Sequence, residues 1–302
     1  MKFWQMSKRV LLFVGVNLLV ITTISIILGL FGVRGRIGNE GYTGLLIFCF
    51  IWGMGGAFIS LAISRITAKW FMGVKVIDPN TTDSTQRQLL EMVYGFAQAA
   101  RLPARPQVGI YDSPEVNAFA TGPSKSRSLV AVSTGLLNTM RRDEIEGVIG
   151  HEVAHIANGD MVTMTLLQGI INALVMFLAR ILAFAVSQAI RSRDDRGGGF
   201  FLNYMLIMVF QIAFSFLGMI PLNWFSRWRE FRADAGSARF AGKEKMIAAL
   251  RGLQRVYERT IADKHAPSLN TLKISGKTTG MSHLFATHPS LDERIARLEQ
   301  LR

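Results

Sequence analysis

Four long apolar segments stand out from the mixed polar and hydrophobic pattern of the rest of the chain. They lie at about residues 10–32, 44–64, 162–187 and 200–225. The first two contain uninterrupted stretches without any charged residue, at 10–30 and 45–64. A helix of about 20 residues is long enough to cross roughly 30 Å of hydrocarbon. The pattern therefore predicts about four transmembrane helices.

The last two segments contain polar residues, and for them the pattern leaves an alternative open. The third includes Asn172 and Arg180, and the fourth includes Gln211 and Pro221. An arginine at the centre of a bilayer is costly, so Arg180 is expected to lie against another span or a lipid headgroup. A buried helical hairpin is the alternative, but length and apolar content favour two spanning helices.

Outside the apolar segments, the hydrophobic spacing predicts four further helices. They are expected at about 84–100, 143–157, 243–260 and 290–301, where apolar residues recur at helical spacing. Ser84 and Ser290 are the expected N-caps of the first and last of these helices, with Glu293 completing a capping box. Asn158 and Gly159 are typical of a helix C-terminus.

Two short strands complete the predicted layout of the polar regions. They are expected at 108–111 and 129–132, separated by a turn-rich stretch around Gly122 and Pro123. A polar linker is expected at 264–279. The predicted order is a membrane region, a first polar part, a second membrane region and a second polar part, at 1–68, 69–161, 162–225 and 226–302.

Composition agrees with a membrane protein and narrows the choice of partners. Half of the residues are hydrophobic and the net charge is +13. Basic residues cluster beside the apolar segments, where they favour anionic lipid, and no nucleic-acid-binding motif accompanies them. The single cysteine, Cys49, excludes an internal disulfide and a cysteine-rich zinc ribbon. Any metal site must therefore be built from histidines and carboxylates.

The distribution of basic residues also predicts the orientation. They precede the first segment, follow the second and follow the fourth, at Lys8, Arg9, Arg65, Lys69, Arg227, Arg229 and Arg232. Because cytoplasmic loops are enriched in lysine and arginine, both termini and residues 69–160 are expected in the cytoplasm. Arginines at 191, 193 and 196 argue weakly against this orientation.

The sequence His-Glu-Val-Ala-His at 151–155 predicts a metal site. Histidines four residues apart project from the same face of a helix, so His151 and His155 can bind one zinc ion at about 2.0–2.1 Å. Glu152, on the flank of that face, can reach a water molecule bound to the metal. The alternative is a solvated helix on which two histidines align by chance.

A catalytic zinc usually has three protein ligands, and the third is expected on a second helix. A histidine six residues after His155 is excluded, because that position is Met161. Glu230 is the expected third ligand, and Asp234, one turn later, would accept an N–H from a ligand histidine. The alternative for Glu230 is a surface carboxylate paired with a neighbouring arginine.

Four motifs together resemble the HtpX family of bacterial membrane-bound heat-shock metalloproteases, which is related to the CAAX prenyl proteases. They are 151–155 with Asn158-Gly159-Asp160, Glu230 with Asp234, 117–122, and 287–290. The resemblance implies a mainly α, integral membrane protein with a zincin-like α+β metalloprotease domain and a small sheet. It also implies one zinc ion per chain, held by His151, His155 and Glu230, with Glu152 as the catalytic glutamate.

The implied function is quality control of membrane proteins under stress, at the cytoplasmic face of the bacterial inner membrane. The expected partners are membrane-protein substrates, the lipid bilayer and other membrane quality-control proteases, but not nucleic acid. A catalytically silent scaffold or chaperone that keeps the zinc site, and a prenyl-protein peptidase, are the alternatives. The oligomeric state is not predicted.

Two further roles are hypotheses from the residues themselves. His288 is expected to donate a hydrogen bond to the oxyanion of the reaction, although it could simply shape the turn before Pro289. The stretch Asn117, Ala118 and Phe119 is expected to pair with an extended substrate. The alternative for this stretch is an ordinary turn of small residues.

Overall fold

The computed structural model describes residues 41–190, 199–262 and 287–301. The predicted transmembrane segment at 10–32, the arginine-containing loop at 191–196 and the predicted linker at 264–279 lie outside these residues. The expectations for those three segments therefore remain predictions.

The described part of the chain is mainly helical, with one small sheet. Its helices are α1 (Gly41–Phe71), α2 (Ser84–Ala99), α3 (Thr134–Thr139), α4 (Arg142–Asn158), α5 (Asp160–Ile190), α6 (Gly199–Ser237), α7 (Lys243–Ala262) and α8 (Leu291–Gln300), with a π-helical turn at Ala238–Gly242. Its strands are β1 (Lys75–Val76), β2 (Gln107–Tyr111), β3 (Ala118–Ser124) and β4 (Arg127–Ser133). The predicted fold class, mainly α with a small sheet, is confirmed.

Three helices in the described residues are long and apolar enough to cross a membrane. The candidate spans are Tyr42–Phe71, Asp160–Ile190 and Phe201–Arg259. The segments predicted at 44–64, 162–187 and 200–225 overlap them. Length and composition thus support spanning helices for three of the four predicted segments.

The chain divides into two compact units, and the first consists of residues 1–60 and 165–222. In its described part, helices α1 and α5 approach each other closely through glycines. A Cβ atom on Gly53 would lie 2.7 Å from the Gly169 carbonyl oxygen. Large apolar side chains such as Phe50, Val209 and Phe216 are exposed. Small residues at helix contacts and apolar residues on the outside are typical of helices packed in lipid.

Arg180, on α5, lies against another helix of this unit. Its Nη1 donates to the Met176 carbonyl at 3.0 Å, and its guanidinium lies 5.9 Å from the centre of the Phe48 ring. A cation over an aromatic face is stabilised by the ring quadrupole. Of the two surroundings expected for Arg180, the structure shows contact with another span.

The second unit consists of residues 61–164 and 223–302 and contains the sheet. The strand order is β1-β2-β4-β3, with β2 and β4 parallel and the other two pairs antiparallel. Helices α2 and α4 pack their apolar faces on the sheet to form one core, which includes Leu89, Leu90, Val93, Val108, Val130, Val132, Ile149, Val153 and Ile156. The apolar face of α4 is therefore buried, and its other faces are available for chemistry.

The structure corrects two local predictions. Gly122 and Pro123 lie inside β3 and not in a turn, at an irregularity between the pairs Thr121–Leu129 and Ser124–Arg127, because the pairing with β4 on either side outweighs their local turn preference. Gly122 has a φ of 147°, and a Cβ there would lie 2.2 Å from the Arg127 carbonyl oxygen, so this close approach to β4 requires glycine. Helix α2 is capped by Asp83, whose side chain accepts from the Gln86 N–H at 2.8 Å, and not by Ser84.

Glu144 connects α4 to α7, and its replacement by glutamine is expected to destabilise this unit. Its buried carboxylate accepts hydrogen bonds from the Arg141 N–H and Nε, each at 3.0 Å, and from Arg255 on α7. Burial by itself would raise the pKa of Glu144, but these donors lower it below its usual value. Hydrogen bonds to a charged group contribute about 1.5–3 kcal/mol, so Glu144→Gln should lower the free energy of unfolding by about that amount.

The lowered pKa also predicts a pH dependence that the variant should lack. The pKa of Glu144 in the folded protein lies below its pKa in the unfolded chain, which is about 4.3. The stabilisation that the ionised Glu144 contributes is therefore complete above pH 4.3 and is lost as the pH falls through the folded-state pKa. Denaturant unfolding in detergent between pH 7 and pH 3 measures both effects. Glu299→Gln is the matched control, since Glu299 pairs with Arg251 on the surface, where such pairs contribute about 0–1 kcal/mol. Equal effects of the two substitutions would contradict the prediction.

Candidate metal centre

The helix that carries the predicted metal motif is held at both ends. Helix α4 begins at Arg142 and ends at Asn158, followed by Gly159 with a left-handed φ of 75°. The Lys125 ammonium donates to the Ala157 carbonyl at 2.5 Å, which satisfies one of the free carbonyls of the last turn. The helix expected at 143–157 and its glycine terminus are confirmed. Local structure therefore fixes the backbone that presents both histidines.

The structure brings His151, His155 and Glu230 together into one cluster of metal-ligating atoms. The two Nε2 atoms are 3.0 Å apart, and each lies 3.4 Å from an oxygen of the Glu230 carboxylate. Ligands bound tetrahedrally at about 2.0–2.1 Å are separated by about 3.3 Å. The spacing of these three side chains therefore fits a single small cation. Glu230 reaches the site from α6, as expected for a ligand on a second helix.

Each histidine is oriented by its own carboxylate. Asp234 Oδ1 lies 2.9 Å from His151 Nδ1, and Asp160 Oδ2 lies 2.7 Å from His155 Nδ1. An Nδ1–H donated to a carboxylate leaves the lone pair on Nε2, the nitrogen that faces the shared point. Asp234 was predicted for such a role, but Asp160 was not. Its signal was its position directly after Gly159, where the chain turns into α5.

The charge of the cluster also suits a cation. The side chains of Glu230, Asp234 and Asp160 are each 2% exposed, so three carboxylates surround two imidazoles. Burial by itself would lower the pKa of His151, but hydrogen bonds to Asp234 and Glu230 raise it to about 9. The pKa of His155 is raised too, by Asp160 and Glu230, against the effects of burial and of His151. The donor set and its electrostatics therefore fit a divalent metal ion.

Arg294, on the last helix, contributes a positive charge that the sequence analysis missed. Its Nε and Nη2 donate to the two oxygens of Asp234 at 2.8 and 2.7 Å, and its Nη1 lies 3.5 Å from Glu230. The side chain is 6% exposed, and these carboxylates raise its pKa against the effect of burial. Its signal in the sequence is a charged residue between Leu291 and Leu298, on the apolar face of an amphipathic helix.

All but one of the remaining predicted residues lie around one cavity. Asn117, Ala118, Glu152 and His288 line it together with His151, Glu230 and Arg294, and its volume is about 170 Å³. His288 Nδ1 lies 3.2 Å from a Glu230 oxygen. Phe119 does not line this cavity, and its ring packs against Tyr111 with 5.6 Å between ring centres. Because side chains alternate along a strand, β3 directs Ala118 and Phe119 to opposite faces.

Comparisons with known proteins agree with this geometry. Residues 83–302 match the model of Peptidase family M48. The chain is 51% identical to a protease HtpX homolog of Bacillus pumilus, over 97% of this chain and 99% of that protein. It is 49% identical to protease HtpX of Idiomarina loihiensis, over 98% of this chain and 100% of that protein.

A solved structure shares the fold. The crystal structure of Ste24p from S. mikatae superposes with a TM-score of 0.65 and 17% sequence identity, covering 99% of this chain and 66% of that chain. The range that matches the family model, residues 83–302, contains the positions of all the metal-site residues described above. The chain therefore belongs to peptidase family M48, together with the HtpX proteases, and is a membrane metallopeptidase.

Proposed function

We propose that this metallopeptidase is a zinc-dependent endopeptidase of the bacterial inner membrane. It cuts misfolded or damaged membrane proteins on the cytoplasmic side, as part of a stress response. The observation that carries the proposal is the cluster of His151, His155 and Glu230, of which His151 and Glu230 line one cavity with Glu152. Glu152 is not one of the ligating side chains, so its carboxylate is free to act on water bound beside the metal ligands.

The proposed metal is zinc, one ion per chain. Two imidazole nitrogens and one carboxylate form a ligand set typical of catalytic zinc, which keeps a further position open. When bound, zinc supplies Lewis-acid activation of water and of the scissile carbonyl. Asp160 and Asp234 would hold the two histidines in the tautomer that binds metal, and Arg294 would hold Asp234.

Glu152 is the proposed general base. It would accept a proton from the attacking water and pass that proton to the leaving amine, as a single carboxylate can do in both halves of the reaction. His288 is the proposed second donor to the oxyanion. Its Nδ1 lies 3.2 Å from a Glu230 oxygen, so Nε2 is the nitrogen left for the oxyanion, and it would donate with the imidazole protonated on both nitrogens.

The proposed substrate is an unfolded, extended segment of a membrane protein. Strand β3 lies at one edge of the sheet, and its first residue, Ala118, lines the cavity with Asn117. An extended chain can add to such an edge through main-chain hydrogen bonds. Because folded domains do not present free extended segments of this kind, binding at this edge favours misfolded proteins.

The proposed cytoplasmic location follows from charged and aromatic residues near the apolar segments. Arg65 and Lys69 follow the predicted span at 44–64, and further arginines follow the span at 200–225. Trp70 and Trp224 are 81% and 63% exposed. Basic residues favour the cytoplasmic side, and tryptophans favour the membrane–water interface.

Cleavage of a model membrane protein by the detergent-purified chain tests the chemical proposal. The substrate should be offered both folded and unfolded, to native protein, to metal-stripped protein and to stripped protein resupplied with zinc. We expect cleavage of the unfolded form, loss of activity on stripping and recovery with zinc. Cleavage that continues without bound metal would overturn the metallopeptidase mechanism. An inert protein that still holds metal would favour a scaffold that retains the site.

A further inference from the structure

Tyr111, the last residue of β2, carries a buried hydroxyl group that the proposed mechanism does not use. The residue is 3% exposed, and among the residues that the structure describes its hydroxyl has no hydrogen-bond partner. A buried hydroxyl without a partner loses the hydrogen bonds that water would give it, which costs stability. Such groups are rare in folded proteins, and a role in function is one reason for keeping them.

We propose that Tyr111 is a positioning residue for substrate binding, and that it acts through Asn117. Its hydroxyl would donate a hydrogen bond to the side-chain carbonyl of Asn117 when substrate binds. The NH₂ group of Asn117 would then be held in place to donate to a main-chain carbonyl of the extended substrate. This inference rests on the proposed peptidase function, and it adds to that function a residue that does not itself line the cavity.

The ring of Tyr111 reaches across the sheet toward the strand that follows Asn117. In the strand order β1-β2-β4-β3, β4 separates β2 from β3, yet the ring centres of Tyr111 and Phe119 are only 5.6 Å apart. The Tyr111 ring therefore lies over β4, whose side chains on this face, Ala131 and Ser133, are small and fully buried. Because side chains alternate along an extended chain, Asn117 shares the face of Phe119 and thus the face of the Tyr111 ring.

Ser133 lies opposite Tyr111 in the sheet, but it cannot serve as the partner of the Tyr111 hydroxyl. The Ser133 hydroxyl donates to the Glu115 carbonyl at 2.6 Å and accepts from the N–H groups of Asn117 at 3.1 Å and Leu136 at 3.0 Å. A serine hydroxyl has one hydrogen and two lone pairs, so its capacity is fully used. The main-chain carbonyl of Asn117 accepts from the Ser133 N–H at 2.9 Å. The main chain of Asn117 is therefore fixed, and its exposed side chain is the part that can turn toward Tyr111.

The groups around Tyr111 keep its hydroxyl a hydrogen-bond donor. Burial, followed by the charge of Glu115, raises the pKa of Tyr111 to about 12, and the side chains of Asn117 and Ser133 offset this increase only in part. The hydroxyl therefore keeps its proton at neutral pH and can donate to an amide oxygen. The charge of Glu152 also raises this pKa, which indicates that the proposed general base lies near Tyr111. The carboxylate of Glu115 is the alternative acceptor for the hydroxyl.

Replacement of Tyr111 by phenylalanine should weaken substrate binding without weakening the fold. Because the hydroxyl has no partner among the described residues, its removal should leave the free energy of unfolding equal or higher. KM should rise by about threefold to tenfold, the size expected for one lost hydrogen bond, with nearly unchanged kcat and native metal content. A purely structural hydroxyl would give the reverse, which is lower stability with native KM. Tyr94→Phe is the matched control, because Tyr94 is half-buried on α2 and does not line the cavity.

The experiment is a double-mutant cycle on the detergent-purified full chain, with KM for an unfolded substrate measured in native protein, Tyr111→Phe, Asn117→Ala and the double variant. If Tyr111 acts through Asn117, the double variant should have the KM of Asn117→Ala alone, since both changes remove the same interaction. An unchanged KM in Tyr111→Phe, or effects that multiply in the double variant, would overturn the inference.

A parallel cycle with Glu115→Gln tests the alternative acceptor. Coupling of Tyr111→Phe to Glu115→Gln in place of Asn117→Ala would also overturn the inference, because it would assign the hydroxyl to Glu115. Native protein that cuts no substrate would overturn the proposed function itself, and with it the role of Tyr111.

Discussion

Replacement of Glu152 by glutamine is expected to lower the rate of peptide hydrolysis by roughly 10²–10⁴-fold, the usual contribution of a general acid–base group. The amide cannot accept the proton of the attacking water. Because Glu152 is not among the ligating side chains, which are His151, His155 and Glu230, the variant should bind as much metal as the native protein. Turnover of an unfolded substrate and metal content per chain are the two measurements.

The matched control for this substitution is Glu146→Gln on the same helix. Glu146 pairs with Lys245 and Arg142 and does not line the cavity, so this variant should keep near-native turnover. A Glu152→Gln protein that kept both its metal and its full rate would remove Glu152 from the mechanism. Loss of metal together with activity would instead show that Glu152 supports the ligands.

The second large effect is expected from Arg294→Met. Methionine fills much of the space but leaves the buried Asp234 carboxylate without its bidentate partner, and breaking a buried ion pair costs about 3–5 kcal/mol. Asp234 also orients His151 at 2.9 Å. Loss of such outer-shell support typically weakens metal binding by 10-fold to 100-fold. Arg294→Met should therefore show both a lower free energy of unfolding and weaker metal binding.

Denaturant unfolding and competition with a chelator at constant pH measure the stability and the metal affinity. Arg297→Met is the matched control on the same helix, since Arg297 is exposed and stacks on Phe231 with 3.8 Å between its guanidinium carbon and the ring centre. The Arg297→Met substitution should change the metal affinity little. Arg294→Lys should fall between the native protein and Arg294→Met, because lysine restores the charge but not the two-pronged contact. Native metal affinity in Arg294→Met would refute the positioning role.

Much of the architecture follows from local patterns. The apolar segments at 44–64, 162–187 and 200–225 predicted helices because their length and composition leave few other solutions in lipid. The helix that carries His151 and His155 was predictable from its apolar spacing and its terminal glycine. The side-by-side placement of these histidines follows from helix geometry alone.

The strand β3 shows where local patterns fail. Its Gly122 and Pro123 are typical of a turn, yet they lie in the edge strand that pairs with β4. The deciding interaction joins residues of two different strands and is not encoded in the local preference of either residue. The two inner strands, β2 and β4, were therefore predictable from local patterns, but this part of the edge strand was not.

The sequence by itself determined the residue types of the metal site, two histidines on one helix with carboxylates at a distance, and hence the chemistry. The tertiary structure decided that Asp234 orients His151, whereas Asp160 reaches His155 across the end of the same helix. It also brought Arg294 from the last helix to Asp234, 60 residues away in the chain. The contacts of Asp234 and Arg294 depend on helix packing between distant segments, and a single sequence carries no local signal for such packing. Asp160 lies only five residues from His155, and its contact depends on the turn at Gly159.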